Sequence, residues 1–347
     1  MKKIVLYVHT TAGLLSGLFI LFMSLSGAAL VFHEELDTAR NSFFDPGTYR
    51  IPVDSAYWVI QKAYPHAQVS NCEIRSTGVF SFFIYDSSYK KGEKAMEVFV
   101  HNKTGSIAGK RGAGDSFVSW LSKFHNSFHL SKTGEWLLGF FALVFLLSII
   151  TGFMLFRKKI VAVLLFRKSA YKKNNLHQII GVWALVFNLM IAVTGFWMQR
   201  YVFKKEFYQS YNYTPVLKAS PPLSFKFDSA YNEIKKAYPD FTAAVIYFAQ
   251  SNSGKTAVYG SRASNAYIHS KKFADAIMLD SAGAIAKTRM INENSADDKY
   301  DIINSQLHMG KFGGLGIKII YFLFGLTGGL LSITGFLLWW RRKKGLL

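Results

Sequence analysis

Apolar residues are concentrated in four stretches of this chain, at about residues 4–32, 136–156, 178–198 and 314–340. Each stretch is long enough to cross the hydrocarbon core of a bilayer, which takes about 20 residues of helix. Lys2 and Lys3 precede the first stretch as they would precede a secretory signal, but the apolar part of a signal is only about 7–15 residues long. The pattern therefore predicts an α-helical membrane bundle of four transmembrane helices, the first of them retained.

Two long polar loops follow the first and the third apolar stretch, and both contain the same pattern. An amphipathic helix is predicted from Asp54 (DSAYWVIQKAYP) and another from Asp228 (DSAYNEIKKAYP), each behind an aspartate that can N-cap it. Alternating stretches and matching turns with Gly105 and Gly283 follow, which indicate β-hairpins. Each loop is thus predicted to form a small α+β domain, with one helix against an antiparallel sheet.

Matched landmarks indicate that the second half of the chain repeats the first. The offset between equivalent residues rises smoothly: 168 for His9 and His177, 174 for Asp54 and Asp228, 178 for Gly105 and Gly283, and 183 for His125 and His308. Duplication followed by small loop insertions produces such a drift, whereas chance similarity scatters the offsets. Both copies enter the membrane from the same side, so an internal parallel duplication is predicted, with an axis near the membrane normal.

The apolar fraction is 50% and the net charge is +20, with 41 basic and 21 acidic residues. The cations cluster beside the apolar stretches, at Lys2 and Lys3, between Arg157 and Lys173, and from Arg341 to Lys344. This is the positive-inside pattern, so it indicates membrane topology rather than binding to nucleic acid. Both termini and the 157–176 loop are predicted to be cytoplasmic, and the loops at about 33–116 and 202–304 to lie outside.

Four histidines occupy equivalent places near the ends of the apolar stretches. The spacing repeats, with 18 residues from His9 to Gly27 and from His177 to Gly195, and 27 residues from His125 to Gly152 and from His308 to Gly335. Histidine is costly in a bilayer and is the commonest neutral metal ligand, so the placement predicts axial ligation of haem. The alternative is that these are interfacial histidines bonded to the backbone or to lipid headgroups.

The parallel axis would place His9 opposite His177 at the cytoplasmic side and His125 opposite His308 at the outer side. We therefore expect two b-type haems, each with two imidazole ligands, an arrangement suited to electron transfer. No nucleotide-binding pattern occurs in the chain, so electrons are expected from a membrane quinol or a cytoplasmic reductase.

The only cysteine, Cys72, forms no internal disulfide.

Two further histidines are weaker candidates for haem ligands or for an outer metal or substrate site. His129 follows His125 by one helical turn and would share its face, but its counterpart in the second half is Phe312. His33 stands at the outer end of the first helix, and its counterpart is Tyr201. The repeat therefore favours His125 as the ligand.

Several segments resemble a known family. SAYWVIQKAYP…VFVHNKTGSIAG resembles the PepSY domain, and VHTTAGLLSGLFILFMSLSGAALVFHEELD, FHNSFHLSKTGEWLLGF…SIITGFML, LHQIIGVWALVFNLMIAVTGF and LHMGKFGGLGIKII…SITGFLLWWRR resemble the four helices of the PepSY-associated transmembrane family. The motif histidines fall on His9, His125, His177 and His308. One departure is Ser26 before Gly27, where the other three helices have threonine (Thr151, Thr194 and Thr334), and we expect it to affect helix packing rather than chemistry.

The resemblance implies a bacterial inner-membrane protein of iron uptake, with both termini cytoplasmic and two periplasmic domains. It implies haem b and an oxidoreductase activity, the reduction of a ferric siderophore that releases Fe(II). The alternative is a membrane anchor without enzymatic activity, whose PepSY-like domains bind a periplasmic protein such as a peptidase.

These interpretations divide the chain into a first transmembrane helix at 1–35, a PepSY-like domain at 36–116, a second helix at 117–157, a cytoplasmic loop at 158–176, a third helix at 177–203, a second PepSY-like domain at 204–304, and a fourth helix with a basic tail at 305–347.

Overall fold

The computed structural model describes residues 2–40, 51–86, 96–168, 171, 176–204, 206–207, 223–249, 254–265 and 268–345. The chain divides into two compact units: one contains Met1–His33, Leu121–Asn212 and Asn304–Leu347, and the other contains Glu34–Trp120 and Tyr213–Ile303. We refer to them as the helical unit and the sheet unit.

The described helices are α1 (Lys2–Leu30), α2 (His33–Ala39), α3 (Val53–Ala63), α4 (Phe117–Ser127), α5 (Ser131–Phe156), α6 (Ile160–Leu164), α7 (Leu176–Trp183), α8 (Leu185–Gln199), α9 (Phe227–Ala237), α10 (Ala296–Met309), α11 (Leu315–Gly325) and α12 (Thr327–Lys343). The described strands are β1 (Ala67–Ile74), β2 (Val79–Asp86), β3 (Met96–His101), β4 (Ile107–Gly112), β5 (Phe241–Tyr247), β6 (Thr256–Arg262), β7 (Asp275–Leu279) and β8 (Ile285–Arg289).

Three helical segments among the described residues are long and apolar enough to cross a membrane: Lys2–Leu30, Ser131–Leu164 and Leu315–Lys343. The third predicted span is broken instead, because Leu176–Trp183 and Leu185–Phe203 meet at a bend of 65°. The backbone at Ala184, between them, leaves the helical region, with φ −92° and ψ 2°. These segments support the prediction of a membrane protein by their length and composition, and a fourth span requires that the bent pair cross as one.

The helical unit is a ring of four packed segments. α1 packs against α5 on one side and α12 on the other, while α5 also packs against α8 and α7 against α12. Small residues allow the contact of α1 with α12, since a Cβ added to Gly329 would lie 3.1 Å from the Leu21 side chain. The Gly329 amide also donates a hydrogen bond of 2.9 Å to the Ser24 hydroxyl.

The sheet unit contains one antiparallel sheet of eight strands, in the order β4-β3-β2-β1-β5-β6-β7-β8. The two predicted α+β domains are therefore joined, because β1 of the first pairs with β5 of the second. In that pairing Cys72 lies opposite Ile246, and the offset of 174 makes Ile246 the equivalent of Cys72. A local twofold axis thus passes between these two residues, which sequence patterns did not predict.

One face of the sheet is buried beneath α3 and α9. Its core contains Ile60 and Ile234 from the two helices and Phe80 and Phe82 from β2, all at most 2% exposed. The burial of such side chains is the main source of stability for the sheet.

The predicted turn glycines, Gly105 and Gly283, have φ of +71° and +81°, so the expected positive φ is confirmed at both. One expectation was wrong: Asp54 and Asp228 do not cap their own helices. Each instead accepts hydrogen bonds from the first amides of the other helix, because the two helix starts lie side by side.

Candidate functional site

The four repeated histidines meet as two pairs in the helical unit. The imidazole of His9 on α1 faces that of His177 on α7, with ring centroids 6.2 Å apart. His125 on α4 faces His308 on α10 at 6.4 Å. The structure thus brings together the same pairs that the repeat predicted, while haem ligation itself stays a prediction.

Both separations match two imidazoles that bind one metal ion from opposite sides. A metal–nitrogen bond of about 2.0 Å, added to about 1.1 Å from ring nitrogen to ring centre, places two coaxial ring centroids about 6.2 Å apart. The observed centroid distances, 6.2 Å and 6.4 Å, are close to this value.

The second nitrogen of every ring is held by a hydroxyl group. Nδ1 lies 3.2 Å from Thr151 Oγ1 in His9, 2.9 Å from Ser26 Oγ in His125, 3.0 Å from Thr334 Oγ1 in His177 and 3.0 Å from Thr194 Oγ1 in His308. His9 Nδ1 also lies 3.0 Å from the backbone oxygen of Ser148.

The hydroxyl groups determine which ring nitrogen carries the proton. Each donates its own proton to the carbonyl four residues earlier, as Thr151 does to Leu147 at 2.8 Å and Ser26 to Phe22 at 2.7 Å, and Thr194 and Thr334 repeat the pattern. The hydroxyl oxygen therefore accepts from the ring, so Nδ1 carries the hydrogen. Nε2 is left with a free lone pair, which is the form of histidine that ligates a metal.

A glycine follows each of these hydroxyl residues and lies against the same ring. A Cβ would stand 2.9 Å from His125 Cε1 at Gly27, 3.0 Å from His9 Cε1 at Gly152, 3.0 Å from His308 Cε1 at Gly195 and 3.2 Å from His177 Cε1 at Gly335. The absence of a side chain is therefore what admits each imidazole.

Each Ser/Thr–Gly pair serves a histidine of another segment. Ser26 and Gly27 of α1 hold His125 on α4, while Thr151 and Gly152 of α5 hold His9 of α1. The second half repeats the exchange. Serine at position 26 keeps the hydroxyl that threonine supplies at the other three sites and makes the same contact with its histidine, in agreement with the expectation that this departure leaves the chemistry unchanged.

A cavity adjoins each histidine pair. The His9 cavity, lined by His9 and His177, contains about 1350 Å³ of space free of protein atoms, part of it open to the surroundings. The His125 cavity, lined by His125 and His308, contains about 1590 Å³ by the same measure. The two cavities share a wall, formed by Ile20, Phe145, Asn188 and Gly328.

His125 and His308 lie on α4 and α10, outside the candidate spans. Burial, followed by the charge of His308, lowers the pKa of His125 to about 3. Burial lowers the pKa of His308 to about 4. Neither ring therefore competes with a metal for a proton at neutral pH.

The two weaker candidate ligands, His129 and His33, lie outside the two histidine pairs. α4 ends at Ser127, and His129 has a positive φ of 58°, so the prediction that His129 shares the helical face of His125 was wrong. The helix ends there because the chain turns into α5. His33 lies just beyond α1 and lines the His125 cavity.

A sequence model of the family described as PepSY-associated TM region matches residues 6–342. No curated protein matches the chain.

Proposed function

The chain belongs to the family of the PepSY-associated TM region, and from that premise we propose that it is a bacterial inner-membrane haem-b protein that passes electrons across the membrane to a periplasmic ferric siderophore. One observation carries the proposal: two pairs of half-buried imidazoles, with ring centroids 6.2 Å and 6.4 Å apart, each have Nδ1 bonded to a hydroxyl. Histidines placed only for contact with lipid headgroups have no need of four matched hydroxyl partners.

The residues present fit a b-type haem at each pair. The two imidazoles of each pair would hold the haem iron, and the adjoining cavity between the helices would take a flat macrocycle. Haem bound through two histidines exchanges one electron at its iron and has no open coordination position. The hydroxyl and glycine partners hold the rings in place, so that little reorganisation accompanies electron transfer.

We propose that the bent pair α7 and α8 is the fourth span. With the cation clusters on the cytoplasmic side, both termini are then cytoplasmic and the sheet unit is periplasmic. This topology would put the His9 pair nearer the cytoplasm, so electrons from a quinol or a cytoplasmic reductase would enter there and pass across the shared wall to the His125 pair.

We also infer that the chain is an internal duplication. In addition to the exchanged Ser/Thr–Gly pairs, the pairing of β1 with β2 shifts register between Val69 and Asn71, and that of β5 with β6 shifts between Ala243 and Val245. Both shifts are separated by the same offset of 174 as Asp54 and Asp228. Equivalent irregularities at equivalent places support a common origin of the halves.

Ferric siderophores are suitable acceptors on chemical grounds. They hold Fe(III) with hard oxygen donors, and reduction to Fe(II) weakens that complex and frees the metal. One electron per iron is required, which is what a haem delivers.

The test is spectroscopic. The purified full-length protein should show a Soret band that shifts on dithionite reduction, and pyridine haemochrome analysis should give two b-type haems per chain. His177→Ala should remove one haem and His308→Ala the other, whereas His33→Ala, which changes a cavity residue outside the pairs, should remove neither.

Activity is measured separately, as Fe(II) trapped by a ferrous chelator when reduced protein meets a ferric siderophore. Protein without any haem refutes the electron-transfer proposal. A haem-free preparation that captures a periplasmic protein would support the anchor function instead. Haem that transfers no electron to any ferric chelate refutes only the choice of acceptor.

A further inference from the structure

The contacts that hold the histidine pairs repeat when the two halves of the chain are exchanged. Thr151 holds His9 through its hydroxyl group. Adding the offsets of 183 and 168 to these residues gives Thr334 and His177, which make the same contact. Each histidine pair also consists of two equivalent residues that face each other. These repeated contacts indicate a local twofold axis that passes between the two rings of each pair.

A twofold axis at this place has a consequence for haem b, whose two faces differ because the vinyl and methyl groups follow one another in opposite order on each. Bonds from the iron to two axial imidazoles are perpendicular to the porphyrin plane, so an axis that exchanges the imidazoles lies in that plane. A half-turn about the axis would restore both axial bonds and turn the other face toward each histidine. A site with perfect twofold symmetry would therefore hold haem b in two orientations in equal amounts.

The lining beside the histidines follows the twofold symmetry. Gly152 lies against the ring of His9, and its equivalent Gly335 lies against the ring of His177. Such groups give no preference between the two orientations, because each has the same counterpart across the axis. Lining pairs that are identical in both halves are Gly13 with Gly181, Gly152 with Gly335 and Phe153 with Phe336 in the His9 cavity, and Phe19 with Phe187 and Gly27 with Gly195 in the His125 cavity.

The shared wall breaks the symmetry. It consists of two pairs of equivalent residues, which we call the unmatched wall pairs: Ile20 with Asn188 at the offset of 168, and Phe145 with Gly328 at the offset of 183. The first pair sets an alkyl group against an amide, and the second sets an aromatic ring against a residue without a side chain. Because all four residues line both cavities, the same difference acts at each histidine pair.

The polar member of the wall has a fixed orientation. The Asn188 side chain is 6% exposed, and its Nδ2 donates a hydrogen bond of 3.2 Å to Thr327 Oγ1. The Thr327 hydroxyl donates its own proton to the Phe324 carbonyl, so its oxygen accepts from the amide nitrogen. A buried dipole of one direction therefore stands on the second-half side of the wall, where the first half has the alkyl group of Ile20.

The other unmatched wall pair differs in shape. Gly328 lets Ile20 pack against α12, because a Cβ there would lie 3.3 Å from Ile20 Cγ2. At the equivalent position of α5, Phe145 places an aromatic ring. The two sides of the wall thus differ in both shape and polarity.

We propose, on the basis of the haem function and the duplication above, that the unmatched wall pairs select one of the two orientations of haem b at each histidine pair. The histidines and their hydroxyl and glycine partners would bind both orientations alike, since they are matched across the axis. A vinyl group is larger than a methyl group by one carbon, and burial of one such group changes an equilibrium about fourfold.

The test is the proton NMR spectrum of the oxidised full-length protein, in which each orientation of a low-spin ferric haem gives its own set of shifted methyl signals. Two backgrounds reconstituted with haemin separate the sites: His308→Ala leaves the His9 pair, and His177→Ala leaves the His125 pair. After equilibration each should show one dominant set, in a ratio of about 4:1 or more. Protohaem III, whose vinyl and methyl groups are arranged symmetrically, should give a single set.

Asn188→Ile makes the first unmatched wall pair identical and should move the ratio toward 1:1 in both backgrounds. Adding Phe145→Ala removes the aromatic ring from the second pair and should move it further. Thr11→Ile is the matched control, since it makes Thr11 identical to its equivalent Ile179, and neither residue lines a cavity. The ratio should stay unchanged in this control.

A ratio near 1:1 with the natural wall overturns the proposal, and this measurement needs no wall variant to fold. A ratio that stays the same in both wall variants also overturns it. Either result requires bound haem and leaves the haem function intact, whereas failure of both backgrounds to bind any porphyrin refutes the haem function itself.

Discussion

Asp54 and Asp228 cap each other's helices. The Asp54 carboxylate accepts hydrogen bonds from the amides of Phe227 and Asp228 at 2.8 Å and 2.9 Å, and the Asp228 carboxylate accepts from Val53 and Asp54 at 3.1 Å and 2.7 Å. The exchange ties α3 to α9 above the β1–β5 junction. Each half of the sheet unit therefore depends on the other for the start of its helix.

We expect Asp54→Ala to loosen the helix that Asp54 caps, which is α9. Hydrogen exchange should accelerate at Phe227 and Asp228, with a loss of about 1–2 kcal/mol, as for other N-cap deletions. Asp54→Asn, which keeps an acceptor oxygen, should lose less. Faster exchange confined to Val53 and Asp54 would show that the cap acts within its own helix.

Gly152→Ala should weaken haem binding at the His9 pair, because the new Cβ would lie 3.0 Å from His9 Cε1 and displace the ring. Gly17→Ala is the matched control, since its Cβ would stand 4.0 Å from the nearest atom, in Ser332. Both changes favour the helix by about 1 kcal/mol, so lost haem cannot be attributed to weaker helix formation. Pyridine haemochrome analysis measures the haem content of the two variants. Equal haem content would contradict the conclusion that the missing side chain of Gly152 makes room for the His9 ring.

Ser26→Ala should weaken haem binding at the His125 pair about 10- to 100-fold, the usual cost of losing a partner that orients a metal ligand. Ser26→Thr restores the hydroxyl and should recover binding. Ser16→Ala removes a buried hydroxyl that donates to the Ala12 carbonyl, and it should have no effect at His125. Transfer of haem to apomyoglobin measures affinity; identical rates for Ser26→Ala and wild type would exclude the orienting role.

An ion-pair cluster in the sheet unit should make it sensitive to acid. Arg111 and Arg75 both contact Asp37, at 2.7 Å and 2.9 Å, and both also contact Glu97. Burial opposes the ionisation of Asp37, but the hydrogen bonds and charges of Arg111 and Arg75 outweigh it and lower the pKa of Asp37. A carboxyl with a lowered folded pKa stabilises the fold above its unfolded pKa of about 3.9 and loses that contribution as pH falls through the folded value.

Asp37→Asn should therefore lower the free energy of unfolding by about 1–3 kcal/mol at pH 7, and the difference from wild type should shrink as the pH falls below about 4. Denaturant unfolding at both pH values measures it. Glu233→Gln, which breaks an exposed pair with Lys236, should change little at either pH. A difference between Asp37→Asn and wild type that is independent of pH would contradict the electrostatic origin.

Cys72 should resist thiol reagents in the native protein. Its side chain is completely buried at the β1–β5 junction, and burial, followed by the charge of Glu73, raises the pKa of the thiol. Both effects suppress the reactive thiolate. A maleimide should label the protein only after denaturation, and rapid native labelling would mean that the junction opens.

The apolar stretches, the repeated histidines and the turn glycines could be recognised without coordinates because each is a local pattern. A run of apolar residues by itself predicts that the segment is removed from water, and a glycine at a turn, such as Gly105, by itself predicts a positive φ. The same reasoning failed at His129, where one helical turn was extended past the end of α4 at Ser127. Helix ends depend on where the chain must turn, which periodicity does not reveal.

The sequence by itself determined that this is a membrane protein of the PepSY-associated family with paired candidate ligands, because hydrophobicity and repeat spacing are properties of the chain alone. Only the tertiary structure decided that Ser26 holds His125, that Asp54 caps α9, that β1 joins β5 into one sheet, and that Phe145 and Gly328 line both cavities. All of these are contacts between residues far apart in the chain, and such contacts are set by the packing of helices and strands in space.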